Sequence, residues 1–128
     1  MAAPVFFVKK KDGGFWLVQD YQKLNDITVK NTYPLPLISD VIDWLCRAKV
    51  FGKLDLWWGF QNIQMADGDE WKAAFRTNHG LFEPLVMFFG LCNSPGTFQS
   101  MINNILREWI NKRVCIVYLD DILNFAKA

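Results

Sequence analysis

Seven short segments of the chain, mostly apolar and rich in β-branched and aromatic residues, predict β-strands. The first two flank Asp12-Gly13-Gly14, a sequence typical of a hairpin turn. The last two flank Asp120-Asp121 and predict a second hairpin. The predicted strands cover residues 4–8, 15–20, 50–56, 71–77, 81–87, 114–118 and 122–125.

Two other segments repeat apolar residues at a spacing of three or four, which is the period of an amphipathic helix. The first predicted helix begins after Ser39 as its N-cap and runs to residue 48. The second has Ser94 as N-cap and Pro95 at the first helical position, and it runs to about residue 110. Residues 21–31 are predicted as polar turns. The order of these elements predicts an α+β fold in which an antiparallel sheet is backed by helices.

Three aspartates stand where predicted strands end. Asp120 and Asp121 interrupt the last apolar hairpin, and Asp55 lies at the end of the predicted strand 50–56. An unpaired carboxylate held against an apolar hairpin is costly, so a divalent cation with oxygen ligands is a natural compensation. If the strand ends are neighbours in the sheet, the three carboxylates gather at one edge. That is the geometry that a two-metal site needs.

Each of these polar features also has a structural interpretation. Aspartate is a common turn residue, so Asp120-Asp121 alone fits a solvated turn as well. A single aspartate at a strand end, such as Asp55, usually caps a neighbouring backbone group. Lys9-Lys10-Lys11 fits either a solvated edge strand or a basic hairpin that closes over an anionic ligand. His79 lies in a predicted turn and is given no chemical role.

Composition narrows the class of protein without identifying a ligand. The chain has 128 residues, of which 52% are hydrophobic and 16% aromatic, and this favours one well-packed domain over disorder. The formal net charge is +1, so any basic surface for nucleic acid has to be local. Cys46, Cys92 and Cys115 fit neither a disulfide framework nor a zinc pattern, which favours a reducing compartment. No signal peptide is predicted, and no apolar run approaches the roughly 18 residues of a membrane span.

The aspartates belong to two motifs, Lys53-Leu54-Asp55-Leu56 and Tyr118-Leu119-Asp120-Asp121. Five further motifs accompany them: Leu35-Pro36-Leu37-Ile38, Gly68-Asp69-Glu70-Trp71-Lys72, Ala74-Phe75-Arg76-Thr77, Leu85-Val86-Met87, and Pro95 with Thr97-Phe98-Gln99. In this order and spacing, the motifs resemble the reverse transcriptase domain of gypsy-type LTR retrotransposons. The resemblance includes that family's Tyr-x-Asp-Asp box and its first aspartate motif, and it covers essentially the whole chain.

The resemblance implies the fingers and palm of a right-hand polymerase, as a single partial reverse transcriptase domain over residues 1–128. The fingers would comprise approximately residues 1–52 and 66–90, and the palm approximately residues 53–65 and 91–128. The thumb and the ribonuclease H domain are expected to lie outside this chain.

The resemblance also implies roles for individual residues. The catalytic carboxylates, which would bind two Mg²⁺ ions with Mn²⁺ as a substitute, would be Asp55, Asp120 and Asp121. The nucleotide-binding residues would be Lys10, Trp16, Phe60, Phe89 and Gly90. Among these, Phe60 would be the aromatic gate that excludes the ribose 2′-hydroxyl. The residues along the template and primer would be Pro95, Tyr118 and Leu119.

The chain departs from the family at six positions where the family usually or often has arginine. These positions are Trp16, Gln22, Trp44, Trp57, Gln64 and His79. Trp16 matters most, because the arginine there contacts the triphosphate, whereas an indole has one donor and no positive charge. Arginine codons that contain CpG become codons for Trp, Gln or His by single transitions. We therefore hypothesise a mutationally decayed copy of a retrotransposon.

Two functions follow from these observations and stay open at this point. The first is the RNA-directed DNA polymerase domain of a retrotransposon polyprotein, which would act on an RNA or DNA template with a primer and on deoxynucleoside triphosphates. The second is a catalytically decayed remnant that keeps the fold and at most weak nucleic-acid binding. An RNA-dependent RNA polymerase is disfavoured by Phe60 at the gate. An intracellular location, in a cytoplasmic virus-like particle or the nucleus, is expected, with no membrane partner.

Overall fold

The computed structural model describes residues 2–126, which form two compact units. The first unit consists of residues 2–30 and 60–94, and the second of residues 31–59 and 95–126. Each unit has a sheet of its own, and neither unit is a continuous stretch of the chain. The assignment of residues to fingers and palm stays a prediction.

Seven strands and four α-helices make up the described residues. In chain order they are β1 (Ala3–Lys9), β2 (Phe15–Gln19), α1 (Gln22–Ile27), α2 (Ile38–Leu45), β3 (Val50–Asp55), β4 (Phe75–Thr77), β5 (Gly80–Phe82), α3 (Ser94–Ile105), α4 (Arg107–Asn111), β6 (Cys115–Tyr118) and β7 (Asp121–Ala126). Two short 3₁₀ helices cover Phe60–Asn62 and Glu70–Ala73. None of the helices formed by residues 2–126 is long and apolar enough to cross a bilayer.

The first unit contains a four-stranded sheet in the order β2-β1-β4-β5. β1 and β2 form the predicted hairpin, with Lys9 opposite Phe15. The turn uses Gly13 at φ 90°, a left-handed conformation that glycine adopts without steric cost. β1 and β4 are parallel, so this sheet is mixed, whereas an antiparallel sheet was predicted. The predicted strand 71–77 is shortened to β4, because its first three residues belong to the 3₁₀ helix Glu70–Ala73.

The second unit contains a three-stranded antiparallel sheet in the order β3-β7-β6, with β7 at its centre. The predicted strands at 50–56, 114–118 and 122–125 are confirmed as β3, β6 and β7. Three successive side chains of β6 are buried, those of Cys115, Ile116 and Val117. Burial on both faces of the strand explains why its sequence is continuously apolar and does not alternate. The α+β class is therefore confirmed, although the strands form two sheets where one was expected.

The helices differ from the prediction at three places. Gln22–Ile27 forms α1, although its polar composition is typical of turns. α2 begins at Ile38, one residue before the predicted N-cap Ser39, and no side chain caps it. The long predicted helix is divided at Leu106, whose φ of −96° and ψ of 14° separate α3 from α4. His79 is exposed at the β4–β5 turn, which confirms its predicted surface position.

Phe98 on α3 is a central core residue of the second unit. It is 1% exposed, whereas Phe51 on β3 is 58% exposed. Truncating a buried phenylalanine removes favourable burial and also leaves a cavity, because the neighbouring side chains collapse only in part. Phe98 and Phe51 therefore form a matched pair for a test of the core.

Phe98→Ala should lower the free energy of unfolding by about 3–5 kcal/mol. Phe51→Ala should lower it much less, because most of that side chain already faces water. Urea denaturation of the two variants, followed by circular dichroism, measures both losses. Similar losses for the two variants would contradict the placement of Phe98 in the core.

Candidate active site

The pairing of β3 with β7 brings two of the three aspartates face to face. Asp55, the last residue of β3, is the register partner of Asp121, the first residue of β7. Cα atoms directly opposite each other in an antiparallel pair are about 4.5–5.5 Å apart, and their side chains share one face. The backbone N–H of Leu56 donates to the carbonyl oxygen of Asp120 (2.9 Å), which ties the end of β3 to the β6–β7 turn. One end of this sheet therefore carries all three aspartates.

Asp120 has a carboxylate oxygen that the fold encloses without satisfying it. Its Oδ1 is buried and has no hydrogen-bond partner among residues 2–126. Gly59 packs against this oxygen: a methyl group on Gly59 would overlap it and would lie 3.1 Å from Cζ of Phe98. Burial raises the pKa of Asp120 above its usual value, and the charges of Asp55 and Asp121 raise it further.

A buried carboxylate oxygen that lacks a hydrogen bond and is repelled by two other carboxylates fits a divalent cation, which prefers oxygen ligands. Asp121, however, is paired with Lys53, whose Nζ lies 3.0 Å from its Oδ1. Among the described residues, no three His, Cys, Asp or Glu side chains are gathered closely enough to hold a metal ion. The expected three-carboxylate cluster is thus not assembled in this structure. Repulsion between like charges and the ion pair with Lys53 both oppose it.

Tyr118 and Leu119, which were predicted beside the template and primer, lead directly into Asp120. Tyr118 ends β6 and is the register partner of Asp121, so Leu119 and Asp120 form a two-residue turn. Leu119 has φ 52°, a left-handed conformation that costs a non-glycine residue about 1–2 kcal/mol. The backbone N–H of Leu119 donates to Oε1 of Gln99 (2.8 Å), so a side chain of α3 holds the strained turn.

The predicted nucleotide-binding side chains in the first unit form two contacting pairs. Nζ of Lys10 lies 4.2 Å from the ring centroid of Trp16, which is a cation–π contact. The rings of Phe60 and Phe89 meet edge to face, with centroids 4.6 Å apart. Phe60 is 3% exposed and Phe89 is 53% exposed. Phe60 is therefore enclosed by its neighbours, and Phe89 is the ring of the pair that faces solvent.

Gly90 lies in a loop that Asn25 of α1 holds in place. The side-chain amide of Asn25 donates to the carbonyl oxygen of Gly90 (2.7 Å), and its oxygen accepts from the backbone N–H of Cys92 (2.9 Å). Gly90 has φ 97°, which favours glycine. Pro95 lies beyond this loop as the second residue of α3. Sequence reasoning gave Asn25 no role, because α1 itself was not predicted.

The class of protein is shown by a family match. Residues 8–128 match the family described as "Reverse transcriptase (RNA-dependent DNA polymerase)". The match covers more than half of the chain, and the chain belongs to this family.

The related sequences are polyproteins of transposons. The chain is 43% identical to the "Retrovirus-related Pol polyprotein from transposon opus" of Drosophila melanogaster, over 98% of the chain and 13% of that protein. It is also 43% identical to the "Transposon Tf2-3 polyprotein" of Schizosaccharomyces pombe, over 99% of the chain and 10% of that protein. The resemblance to an LTR retrotransposon reverse transcriptase is thus confirmed, and the chain spans only about a tenth of the length of these relatives.

A solved structure supports the fold. The whole chain superimposes with a TM-score of 0.87 on 17% of a chain described as the foamy viral protease-reverse transcriptase in complex with RNA/DNA hybrid. Sequence identity to that structure is 24%, so this similarity concerns the fold alone.

The raised pKa of Asp120 predicts how stability depends on pH. Below the ordinary value of 3.8, the carboxyl is protonated in both the folded and the unfolded chain. As the pH rises from there to the folded pKa, the unfolded chain loses its proton first, so the free energy of unfolding falls. Asp120→Asn has no proton to lose. It should therefore be more stable than the unsubstituted chain at neutral pH, and this advantage should shrink as the pH falls toward 3.8.

Thermal unfolding of both proteins, followed across this pH range, measures the difference. Asp67→Asn removes one exposed carboxylate from the loop before Gly68 and controls for the change in net charge. A stability difference between Asp120→Asn and the unsubstituted chain that stays constant with pH would refute the prediction.

Proposed function

We propose that the chain is the catalytic core of the RNA-directed DNA polymerase of an LTR retrotransposon polyprotein. The observation that carries this proposal is the buried Oδ1 of Asp120, which has no hydrogen bond among the described residues and lies in the turn beside the facing pair Asp55 and Asp121. In a purely structural turn, such an oxygen would only cost stability. As a ligand for a divalent cation, the same oxygen would gain the partner that it lacks. Membership of the reverse transcriptase family supports the same assignment.

Reverse transcriptases generally use divalent metal ions, and the proposal gives this chain two Mg²⁺ ions, for which Mn²⁺ can substitute. Asp55, Asp120 and Asp121 would hold them. When bound, the ions would lower the pKa of the primer 3′-hydroxyl and neutralise charge on the triphosphate and the leaving pyrophosphate. This role also gives a reason for three like charges at one end of a sheet, which would otherwise repel one another.

The other predicted site residues would bind and orient the reactants. Lys10 would contact the triphosphate. Phe60 would exclude the ribose 2′-hydroxyl with the small part of its surface that stays exposed beside Phe89. Gly90 would let the backbone approach the nucleotide, and the template and primer would lie along Pro95, Tyr118 and Leu119. The 3′-oxygen would then bond to the α-phosphorus while the bond from phosphorus to the pyrophosphate oxygen breaks. The RNA/DNA hybrid in the similar foamy viral structure supports a primer–template as the partner.

Primer extension tests the proposal. The chain replaces its matched segment in the reverse transcriptase of the opus polyprotein, and the chimera is assayed for Mg²⁺-dependent extension of a DNA primer on an RNA template. The chimera should extend the primer. Asp120→Asn should reduce its rate by more than about 100-fold, which exceeds the usual loss from a residue that only orients a metal ligand.

The unsubstituted opus enzyme serves as the positive control, and Asp67→Asn in the chimera as the matched substitution. If opus extends the primer and the chimera does not, the chain has lost catalytic competence. If Asp120→Asn extends as fast as Asp67→Asn, the carboxylates have been given the wrong role.

A decayed remnant is the second candidate function, and the contact between Lys10 and Trp16 favours it. The ammonium group that would meet a triphosphate lies over the Trp16 ring instead, at 4.2 Å from its centroid. Such a contact is worth about 0.5–1 kcal/mol at an exposed site, and Trp16 is 54% exposed. Trp16 therefore both lacks the charge expected at its position and competes for Lys10.

Trp16→Arg should lower the KM of the chimera for deoxynucleoside triphosphates by about 10-fold or more, because a charge-assisted hydrogen bond to phosphate replaces the competing ring. Trp16→Ala is the matched control: it releases Lys10 without adding a cation and should give a smaller gain. Steady-state kinetics with varied nucleotide concentration measure both variants. An unchanged KM in Trp16→Arg would count against decay at this position.

A further inference from the structure

Gln99 is a fully buried polar side chain on α3, with 0% exposure, between the buried apolar side chains of Phe98 and Ile102. A buried amide is unfavourable unless its donors and acceptor are hydrogen-bonded. Gln99 meets this requirement with three bonds. Its Nε2 donates to the carbonyl oxygen of Val117 (3.0 Å) and to Oδ1 of Asn103 (3.0 Å), and its Oε1 accepts from the backbone N–H of Leu119 (2.8 Å).

Two of these bonds go to backbone groups at the end of the hairpin, one to Val117 in β6 and one to Leu119 in the β6–β7 turn. The turn is of the short hairpin type in which glycine or asparagine usually supplies a positive φ, yet here leucine has φ 52°. A strained backbone of this kind persists only where the surroundings hold it. The conformation of Leu119 sets the direction in which the next residue, Asp120, leaves the turn. Through Leu119, Gln99 therefore influences the direction of Asp120.

The backbone determines which way the Gln99 amide faces, because the Val117 carbonyl can only accept and the Leu119 N–H can only donate. A further hydrogen bond extends this network. Nδ2 of Asn103, one helical turn along α3, donates to the hydroxyl oxygen of Tyr33 (2.9 Å). Oδ1 of Asn103 accepts the other hydrogen of Gln99 Nε2, so Asn103 and Tyr33 support the Gln99 amide in the orientation that the backbone sets. We call the connected side chains of Gln99, Asn103 and Tyr33 the amide relay. It extends from the segment before α2 to the turn that carries Asp120.

We propose that Gln99 is a positioning residue for the carboxylate of Asp120 and that Asn103 and Tyr33, through the amide relay, hold the Gln99 side chain in place. The relay keeps the Leu119–Asp120 turn in its left-handed form, so that Asp120 stays against Gly59 beside Asp55. The consequence for the metal ion rests on the proposed function. The effect on the turn is a property of the fold alone, and the two can be measured separately.

The test uses the 128-residue chain with Gln99→Met, which keeps the length of the side chain and removes both polar atoms. The first readout is hydrogen exchange at the Leu119 amide, whose protection should fall by about 10-fold once its acceptor is gone. The second readout is affinity for Mn²⁺, measured by electron paramagnetic resonance. It should weaken by about 10–100-fold, the usual loss when a partner that orients a metal ligand is removed.

Ile102→Val is the matched control for a merely structural role. Ile102 lies on the same helix and is 7% exposed, and its side chain has no polar atom. This substitution should lower stability but leave both the exchange of the Leu119 amide and the Mn²⁺ affinity unchanged. Tyr33→Phe removes only the hydroxyl at the far end of the amide relay and should give a smaller loss of Mn²⁺ affinity than Gln99→Met. If Gln99→Met does not fold, Tyr33→Phe and Asn103→Leu carry the test.

The outcomes separate this proposal from the proposed function. Unchanged protection of the Leu119 amide would overturn the positioning role. Equal losses of Mn²⁺ affinity in the relay variants and in Ile102→Val would also overturn it, because they would reduce Gln99 to a contributor to stability. If the unsubstituted chain binds no Mn²⁺, the proposed metal site fails, and the exchange of the Leu119 amide still decides whether Gln99 holds the turn.

Discussion

The register between β3 and β7 is the constraint on which the candidate site depends. Because side chains alternate along a strand, a slip of one residue would turn Asp55 to the face opposite Asp121. The pairing extends unbroken from Val50 with Ala126 to the two aspartates, so the whole length of both strands maintains that alignment. The site is therefore a property of the sheet, and the turn adds only the third carboxylate.

Several features at this end of the sheet lower stability locally. Asp120 holds a buried oxygen without a hydrogen bond among the described residues, and Leu119 is in a left-handed conformation. Leu119 is held by the buried, hydrogen-bonded amide of Gln99, and the Asp120 oxygen lies against Gly59, where a Cβ atom would overlap it. Strain that is concentrated at a few residues and supported by a rigid surrounding is characteristic of functional sites.

Sequence patterns predicted the strands that carry β-branched and aromatic residues, and they failed where tertiary contacts decide. β3, β6 and β7 were predicted from such residues, although only β6 and β7 contain buried side chains. α1 was not, since its polar residues suit turns equally well and Asn25 makes its bonds to a loop 65 and 67 residues away. The break at Leu106 leaves no trace in the pattern, because backbone bonds to Ile102 and Ile110 preserve the helical spacing. The partner of Gln99 lies 20 residues away, so only the structure could reveal its role.

The interleaved order of the two units has a consequence for damaged gene copies. β3 belongs to the middle of the chain, yet both strands that complete its sheet, β7 and β6, lie after residue 94. A premature stop codon in that interval would leave β3 without any partner strand and would remove two of the three aspartates. A copy truncated in that interval therefore cannot form the sheet that contains Asp55. A stop codon between residue 94 and β6 would spare every residue of the first unit and still remove both partner strands of β3, so the second unit is the more vulnerable of the two.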